Sequence, residues 1–220
     1  MKNKPILIVA GEPNSIFLEI FFKTIKFTKF KNPIILICSK KLLKLQMTKL
    51  KFKKKIKLIT QSNLSLETLD NKFINLINID YSQTSAFEKI SNKSNFYIKK
   101  CFEVAFRIIK SGITDKFING PISKKNFLSK KFLGITEFIS NEFSINKSAM
   151  LIYNKKLSVC PLTTHLPLKF VSKKINKKLI YEKILLIDNF YNRNLGYKPK
   201  IAILGLNPHC ESIDKINEDE

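Results

Sequence analysis

The alternation of apolar and polar positions divides the chain into short, continuously apolar runs and longer stretches with helical spacing. Pro5–Ala10 (Pro-Ile-Leu-Ile-Val-Ala) is apolar throughout and of strand length, the pattern of a strand covered on both faces. Gly11-Glu12-Pro13-Asn14-Ser15 follows as a turn that ends in helix-capping residues. Ile16, Phe17, Ile20, Phe21 and Ile25 then fall on one helical face, and Pro33–Cys38 is a second buried strand. Strand, helix and strand in this order are the rhythm of a parallel sheet. Lys57–Thr60 and Phe73–Ile79 are weaker strands set among polar segments that carry no clear period.

From Asn95 the helical period is plain. Ile98, Cys101, Phe102, Ala105, Ile108 and Ile109 form an apolar stripe that closes at Gly112, a C-terminal cap. Lys116–Asn119 reads as a strand running into Gly120-Pro121-Ile122-Ser123-Lys124, a turn that opens another helix, and Thr136 with Glu137 starts a further helical segment. Ala149–Tyr153 and Leu157–Leu162 are expected to pair as a hairpin through Asn154-Lys155-Lys156. An amphipathic helix is expected over Lys173–Asn194, ending near Gly196, and Lys200–Leu204 as the last strand. The pattern predicts an α/β fold in two lobes, residues 1–118 and 119–220, with no internal repeat and no flexible linker.

Composition changes this picture little. With 220 residues, 44% of them hydrophobic, the chain is long enough to bury a real core. The formal charge of +23 would ordinarily suggest nucleic acid. Yet Arg107 and Arg193 are the only arginines, and lysine, asparagine, isoleucine and phenylalanine are enriched together along the whole length. Base reading favours the guanidinium fork, so the charge reads as a compositional bias and nucleic acid is not expected as a partner. The densest basic run, Lys40–Lys57, keeps Leu43, Met47 and Leu50 at helical spacing and reads as a solvated helix face. No apolar stretch reaches bilayer length and the amino terminus has no cleavable leader pattern, so a cytoplasmic protein away from membranes is expected. Cys38, Cys101, Cys160 and Cys210 are scattered, without a Cys-x-x-Cys pair, and read as core thiols.

Candidate chemistry gathers at four strand ends: Gly11–Ser15, Gly120–Lys124, Thr163–Leu168 and Gly205–His209. The last two carry the chain's two histidines, His165 and His209. Ligands of open α/β sheets lie outside the carboxyl ends of strands, where two neutral imidazoles can converge on one metal or one substrate. Taken without any family, each histidine reads more readily as a hydrogen-bonded loop or core residue than as a ligand. Glu12 at the first strand end reads as a carboxylate accepting backbone hydrogen bonds at a helix start rather than as an acid or base. Lys124 either faces an anion or faces solvent, and Asn207-Pro208 shapes the turn presenting His209.

Gly-Glu-Pro, Gly-Pro-Ile-x-Lys, Gly-x-Thr-Glu-Phe, Thr-Thr-His-x-Pro-Leu and Gly-Leu-Asn-Pro-His, in this order, resemble the 4-hydroxythreonine-4-phosphate dehydrogenase family of vitamin B6 synthesis, over the amino-terminal part of the family's length. The resemblance implies a Rossmann-like fold of the isocitrate and isopropylmalate dehydrogenase type, here truncated at its carboxyl end, in a homodimer. It implies oxidation of a small phosphorylated amino acid, 4-phosphooxy-L-threonine, at its C3 hydroxyl by NAD or NADP, then decarboxylation to 3-amino-2-oxopropyl phosphate. It also implies a divalent metal (zinc, magnesium or cobalt) held by His165, His209 and a third histidine. That third histidine belongs in the family to a downstream Tyr-His-Asp-Gln segment absent from this sequence. Cys210 and Glu211 are alternative donors close by. A divalent cation suits such chemistry because it makes the alkoxide accessible and then stabilises the enolate left by decarboxylation.

Two motifs depart from the family. Its substrate-contacting His-Thr pair is here Ile135-Thr136; Thr136 carries over as a substrate-binding residue, whereas Ile135 cannot hydrogen-bond a polar substrate. The family continues Gly-Glu-Pro with Ala-Gly-Ile-Gly-Pro-Glu, and of Asn14–Glu19 only Ile16 and Glu19 fit. Three functions follow as expectations: the dehydrogenase itself, a related dehydrogenase for another phosphorylated hydroxy acid, or a non-catalytic truncated homologue. A shortened fold is further expected to expose strand edges and apolar surface and to be poorly soluble.

Overall fold

The computed structural model describes residues 3–128, 132 and 134–206. The chain divides into two compact units, Met1–Gly134 and Ile135–Glu220. The division lies further along than the expected boundary at 118/119, because the strand ending at Asn119 is paired within the first unit.

The first unit is built on a five-stranded parallel sheet. Its strands are β1 (Ile6–Val9), β2 (Ile34–Cys38), β3 (Ile56–Leu58), β4 (Ile74–Asn78) and β5 (Lys116–Asn119), ordered β3-β4-β2-β1-β5. Register sets Ile8 between Leu36 and Ile118. Every residue of β2 is buried, which explains why that run is apolar without alternation. One face of the sheet, through Ile8, Leu36, Leu76 and Cys38, packs on α1 (Phe17–Phe27) and α2 (Lys40–Lys49) with Leu18, Phe21, Phe22, Leu42 and Leu43. Strand alternation sends Leu7, Val9, Ile35 and Ile37 the other way, all fully buried, and α3 (Asn95–Lys110) packs on β1 and β2. Each such side chain stabilises by about 1.5–3 kcal/mol relative to exposure. The basic run after β2 is only partly a helix. Ser39 caps α2 by accepting from Leu42 N at 3.3 Å, and the helix ends where Lys51 takes a left-handed φ of 52°.

The second unit contains α4 (Ile135–Glu142), α5 (Val171–Lys174) and α6 (Lys177–Phe190), a 3-10 turn at Leu168–Phe170 and a π-helical turn at Tyr191–Leu195. Tyr191 is the only buried side chain among its described residues. Three expected elements are corrected here. The hairpin reduces to one antiparallel bridge, Ile152 with Val159, because Asn154 and Ser158 turn their side chains onto the backbone between them and replace the ladder. The helix from Lys173 is broken at Ile175 and Asn176. Asn176 has extended backbone, and its Oδ1 accepts from Leu179 N at 2.9 Å as the cap of α6. Lys200–Leu204 is not a strand: nothing among the described residues pairs with it, and Leu204 is 88% exposed. Gly196, with φ 78°, does close the helical segment.

No helix among the described residues is long and apolar enough to cross a membrane. Cys38 and Cys101 are core thiols, as expected, whereas Cys160 is half-buried and Cys210 lies outside the described residues. Burial pushes the Cys101 thiol up to about 12. Burial raises Cys38 and the Tyr97 phenol as well. All three stay protonated in the fold at pH values where the unfolded chain ionises. The Cys101 contribution is therefore complete below about pH 8.5, the ordinary thiol value, and is lost as pH rises toward 12, while that of Tyr97 begins to be lost only above about pH 10, the ordinary phenol value. Stability read from urea midpoints should fall above those ordinary values, by up to about 1.4 kcal/mol per pH unit for each group ionised in the unfolded chain. A flat midpoint across that range would contradict the burial of these groups.

Candidate active-site face

Because all five strands run parallel, their carboxyl ends share one edge of the first unit. The loops leaving β1 and β5 are locked together there. Gly120 N donates to Val9 O at 2.7 Å, and Glu12 N to Pro121 O at 2.8 Å. The approach is so close that a Cβ on Gly120 would lie 2.0 Å from Ala10 O, and one on Gly11 2.4 Å from Pro121 O. Gly11 also holds φ at 77°. Both glycines are therefore required by the backbone.

Glu12 is buried at this edge. Its Oε1 accepts from Asn14 N at 3.3 Å, as its place before a helix suggested, and its Oε2 accepts from Ser94 Oγ at 2.9 Å. Asn14 Oδ1 accepts from Glu88 N at 2.8 Å and from Gln83 Nε2 at 3.3 Å. Gln46 of α2 donates from Nε2 to Pro13 O and Ala86 O. The first loop is thus tied to α2 and to the segment after β4. That segment and the start of α3 line an open, shallow cleft of about 450 Å³, bordered by Asp80, Tyr81, Gln83, Thr84, Glu88 and Phe96 among others. The Tyr81 and Tyr97 rings meet at 4.8 Å, and Ser39 N donates to Tyr97 Oη at 3.0 Å. Burial, then the neighbouring Glu12 and Glu88 carboxylates, raise the Tyr81 phenol. The sequence reading missed this cleft, having singled out four strand ends. Its signal was Asp80-Tyr81-Ser82-Gln83, polar residues directly after an apolar strand.

The residues singled out earlier are placed differently. Thr136 sits half-buried in the first turn of α4, directly after Ile135, and Glu137 Oε2 is buried without a partner. His165 lies on an exposed loop of the second unit, with a left-handed φ of 56° that few non-glycine residues adopt. No hydrogen bond joins Thr136 to His165. Lys124 opens the π-helical turn Lys124–Leu128 and is exposed. His209, Asn207-Pro208 and Glu211 lie outside the described residues. Among the described residues no three His, Cys, Asp or Glu side chains are grouped to hold a metal. The described residues therefore supply one imidazole donor and not a cation site.

The family model for the pyridoxal phosphate biosynthetic protein PdxA matches residues 29–220. The 4-hydroxythreonine-4-phosphate dehydrogenase of Sulfurihydrogenibium sp. (strain YO3AOP1) is 32% identical over 98% of this chain and 66% of its own length. That of Aquifex aeolicus (strain VF5) is 29% identical over 99% of this chain and 67% of its own length. The crystal structure of 4-hydroxythreonine-4-phosphate dehydrogenase from Klebsiella pneumoniae shares the fold, with a TM-score of 0.79 and 24% identity over 94% of this chain and 65% of that one. The chain spans about two thirds of the length of the relatives it matches.

Proposed function

The chain belongs to the pyridoxal phosphate biosynthetic protein PdxA family, and from that premise we propose that it works as a nicotinamide-dependent dehydrogenase on 4-phosphooxy-L-threonine. In this reading the C3 hydroxyl is oxidised and the resulting 3-oxo acid loses carbon dioxide, giving 3-amino-2-oxopropyl phosphate. The observation that carries the reading is the family match over residues 29–220, with relatives of that printed name aligned to nearly the whole chain. When bound, the nicotinamide ring of NAD or NADP accepts the hydride. Thr136, at the start of α4, donates its hydroxyl to the substrate and fixes its orientation. His165 and His209 remain the proposed donors to a divalent cation. The described residues do not complete that site. A cytoplasmic homodimer belongs to the same proposal.

The test is reduction of NAD or NADP by 4-phosphooxy-L-threonine, read from the absorbance of the reduced ring and from released carbon dioxide. Thr136→Val should lower kcat/KM by about 10- to 100-fold, the loss of one hydrogen bond to a polar or charged substrate group. Absence of turnover with any phosphorylated hydroxy acid would refute the dehydrogenase reading.

Ile135 favours a second reading. An aliphatic side chain opens α4 beside Thr136 and offers no hydrogen bond, so a related phosphorylated hydroxy acid is the alternative substrate. A panel of such acids decides between them. Turnover of another member, with none of 4-phosphooxy-L-threonine, would establish the alternative.

A further inference from the structure

A second recess lies at the edge of the sheet opposite the candidate active-site face. It opens where β2 and β4 begin, against the end of α1, the loop that enters β4 and Lys54 ahead of β3. Its volume of about 370 Å³ is in the range of small-molecule sites. The walls are core side chains. Phe21, Ile34, Leu36 and Ile74 are buried and line it, and the half-buried Phe30 and Phe73 add two more rings.

The amides that line the recess are spent on the backbone. Asn71 Oδ1 accepts from Ile34 N at 2.9 Å, and its Nδ2 donates to Phe30 O at 3.1 Å and Asn32 O at 2.8 Å. Asn75, 1% exposed, accepts from Asp70 N at 3.2 Å and donates to Ile34 O at 2.9 Å. These bonds join the end of α1, the start of β2 and the loop before β4, so the walls are fixed in advance of any ligand. The groups left free are cations. Lys29, Lys54 and Lys72 line the recess, Lys54 half-buried, and none of the three ammonium groups has a hydrogen bond or ion pair among the described residues. Lys57, by contrast, donates to Thr68 O. Asp70 is the one carboxylate among the described lining residues, and its Oδ1 accepts from Lys72 N at 2.8 Å.

We propose that this recess is a binding site for an aromatic phosphate monoester, its ring among Phe21, Phe30 and Phe73 and its phosphate against Lys29, Lys54 and Lys72. Three ammonium groups and one carboxylate leave two positive charges uncompensated at the recess. A phosphate monoester, with a charge of about −1.5 to −2 at pH 7, neutralises them, whereas a carboxylate neutralises about half. Lysine binds phosphate as a point charge and needs no fixed fork. Apolar walls with three rings favour a flat aromatic body, because offset and edge-to-face contacts add to the burial of area. The site does not rest on the dehydrogenase reading, since it lies at the amino ends of the strands.

Isothermal titration of the whole chain with phenyl phosphate, phenol and inorganic phosphate, at one fixed ionic strength, tests this. Phenyl phosphate should bind at least about tenfold more tightly than phenol or inorganic phosphate. The triple variant Lys29→Ala, Lys54→Ala, Lys72→Ala should weaken it by about tenfold or more, with circular dichroism unchanged. A second triple variant, Lys41→Ala, Lys44→Ala, Lys49→Ala, removes three exposed charges of α2 outside the recess and should leave the affinity as it was. Equal losses in the two variants would mean diffuse attraction to a basic surface and would overturn the proposal. So would undiminished affinity in the first variant, inorganic phosphate binding as tightly as phenyl phosphate, or no binding of phenyl phosphate at all.

Discussion

Gly120→Ala is expected to destabilise the first unit by about 3 kcal/mol or more, at the upper end of what overpacking produces. The added Cβ would stand 2.0 Å from Ala10 O and 2.9 Å from the Phe17 ring. The first of these neighbours is backbone inside a central strand connection, so no change of rotamer relieves the contact. Relief requires the end of β5 to separate from β1, which breaks the bond from Gly120 N to Val9 O and loosens the one from Glu12 N to Pro121 O. The comparison is Gly112→Ala. Gly112 has a left-handed φ of 79°, which Gly120 lacks, but nothing within 4 Å of the added atom, so only the conformational cost of about 1–2 kcal/mol applies. Urea midpoints of the two variants decide the matter, read at constant m value. Equal losses would mean that the two loops are not in the contact described.

Phe102→Ala should cost a further class of energy, about 3–5 kcal/mol, through the cavity it leaves. Phe102 is 1% exposed. Its ring lies 5.7 Å from Phe106, 6.1 Å from Phe117 and 5.8 Å from Phe127, so it joins α3 to the edge strand β5 and to the turn beyond it. Aromatic pairs add about 0.5–1.5 kcal/mol beyond area alone. Phe96→Ala, at an exposed position of the same helix, is the control and should change stability by no more than about 0.5 kcal/mol. A Phe102→Ala variant as stable as that control would mean the cluster is not packed as described.

The strands β1 and β2 were legible because parallel strands buried on both faces leave unbroken apolar runs in the sequence, whereas β4 was the weaker reading because Asn75 and Asn78 interrupt its run. The helix from Asn95 was legible for a related reason: one face meets the sheet and the other meets water, so its stripe has the helical period. What failed was decided by side chains answering their own neighbours. Asn176 reads as one polar residue within a helical pattern, but as a cap it starts a new helix. Asn154 looks like a turn residue of a hairpin and Ser158 like part of its second strand, and instead they consume the hydrogen bonds a second ladder pair would need. Lys200–Leu204 has the composition of a strand, and composition supplies no partner. At the candidate site, the glycines at positions 11 and 120 stood out in sequence, but their mutual contact did not. The tie from Glu12 to Ser94 spans 82 positions, and no local pattern encodes it. His165 was legible as a residue but not as a left-handed one.

The strand order has a consequence for how the protein is made. Of the five described strands β1 is made first, yet it sits between β2 and β5. Its pairing with β2 needs about thirty residues of further synthesis, and its other edge stays open until Asn119 has emerged. The segment synthesised in between therefore grows around a strand with one bare edge. Non-local parallel pairing of this kind is slow and leaves that edge available to other chains. The yield of folded protein should then depend on how quickly translation passes from β2 to β5, a property set by the messenger as much as by the residues themselves.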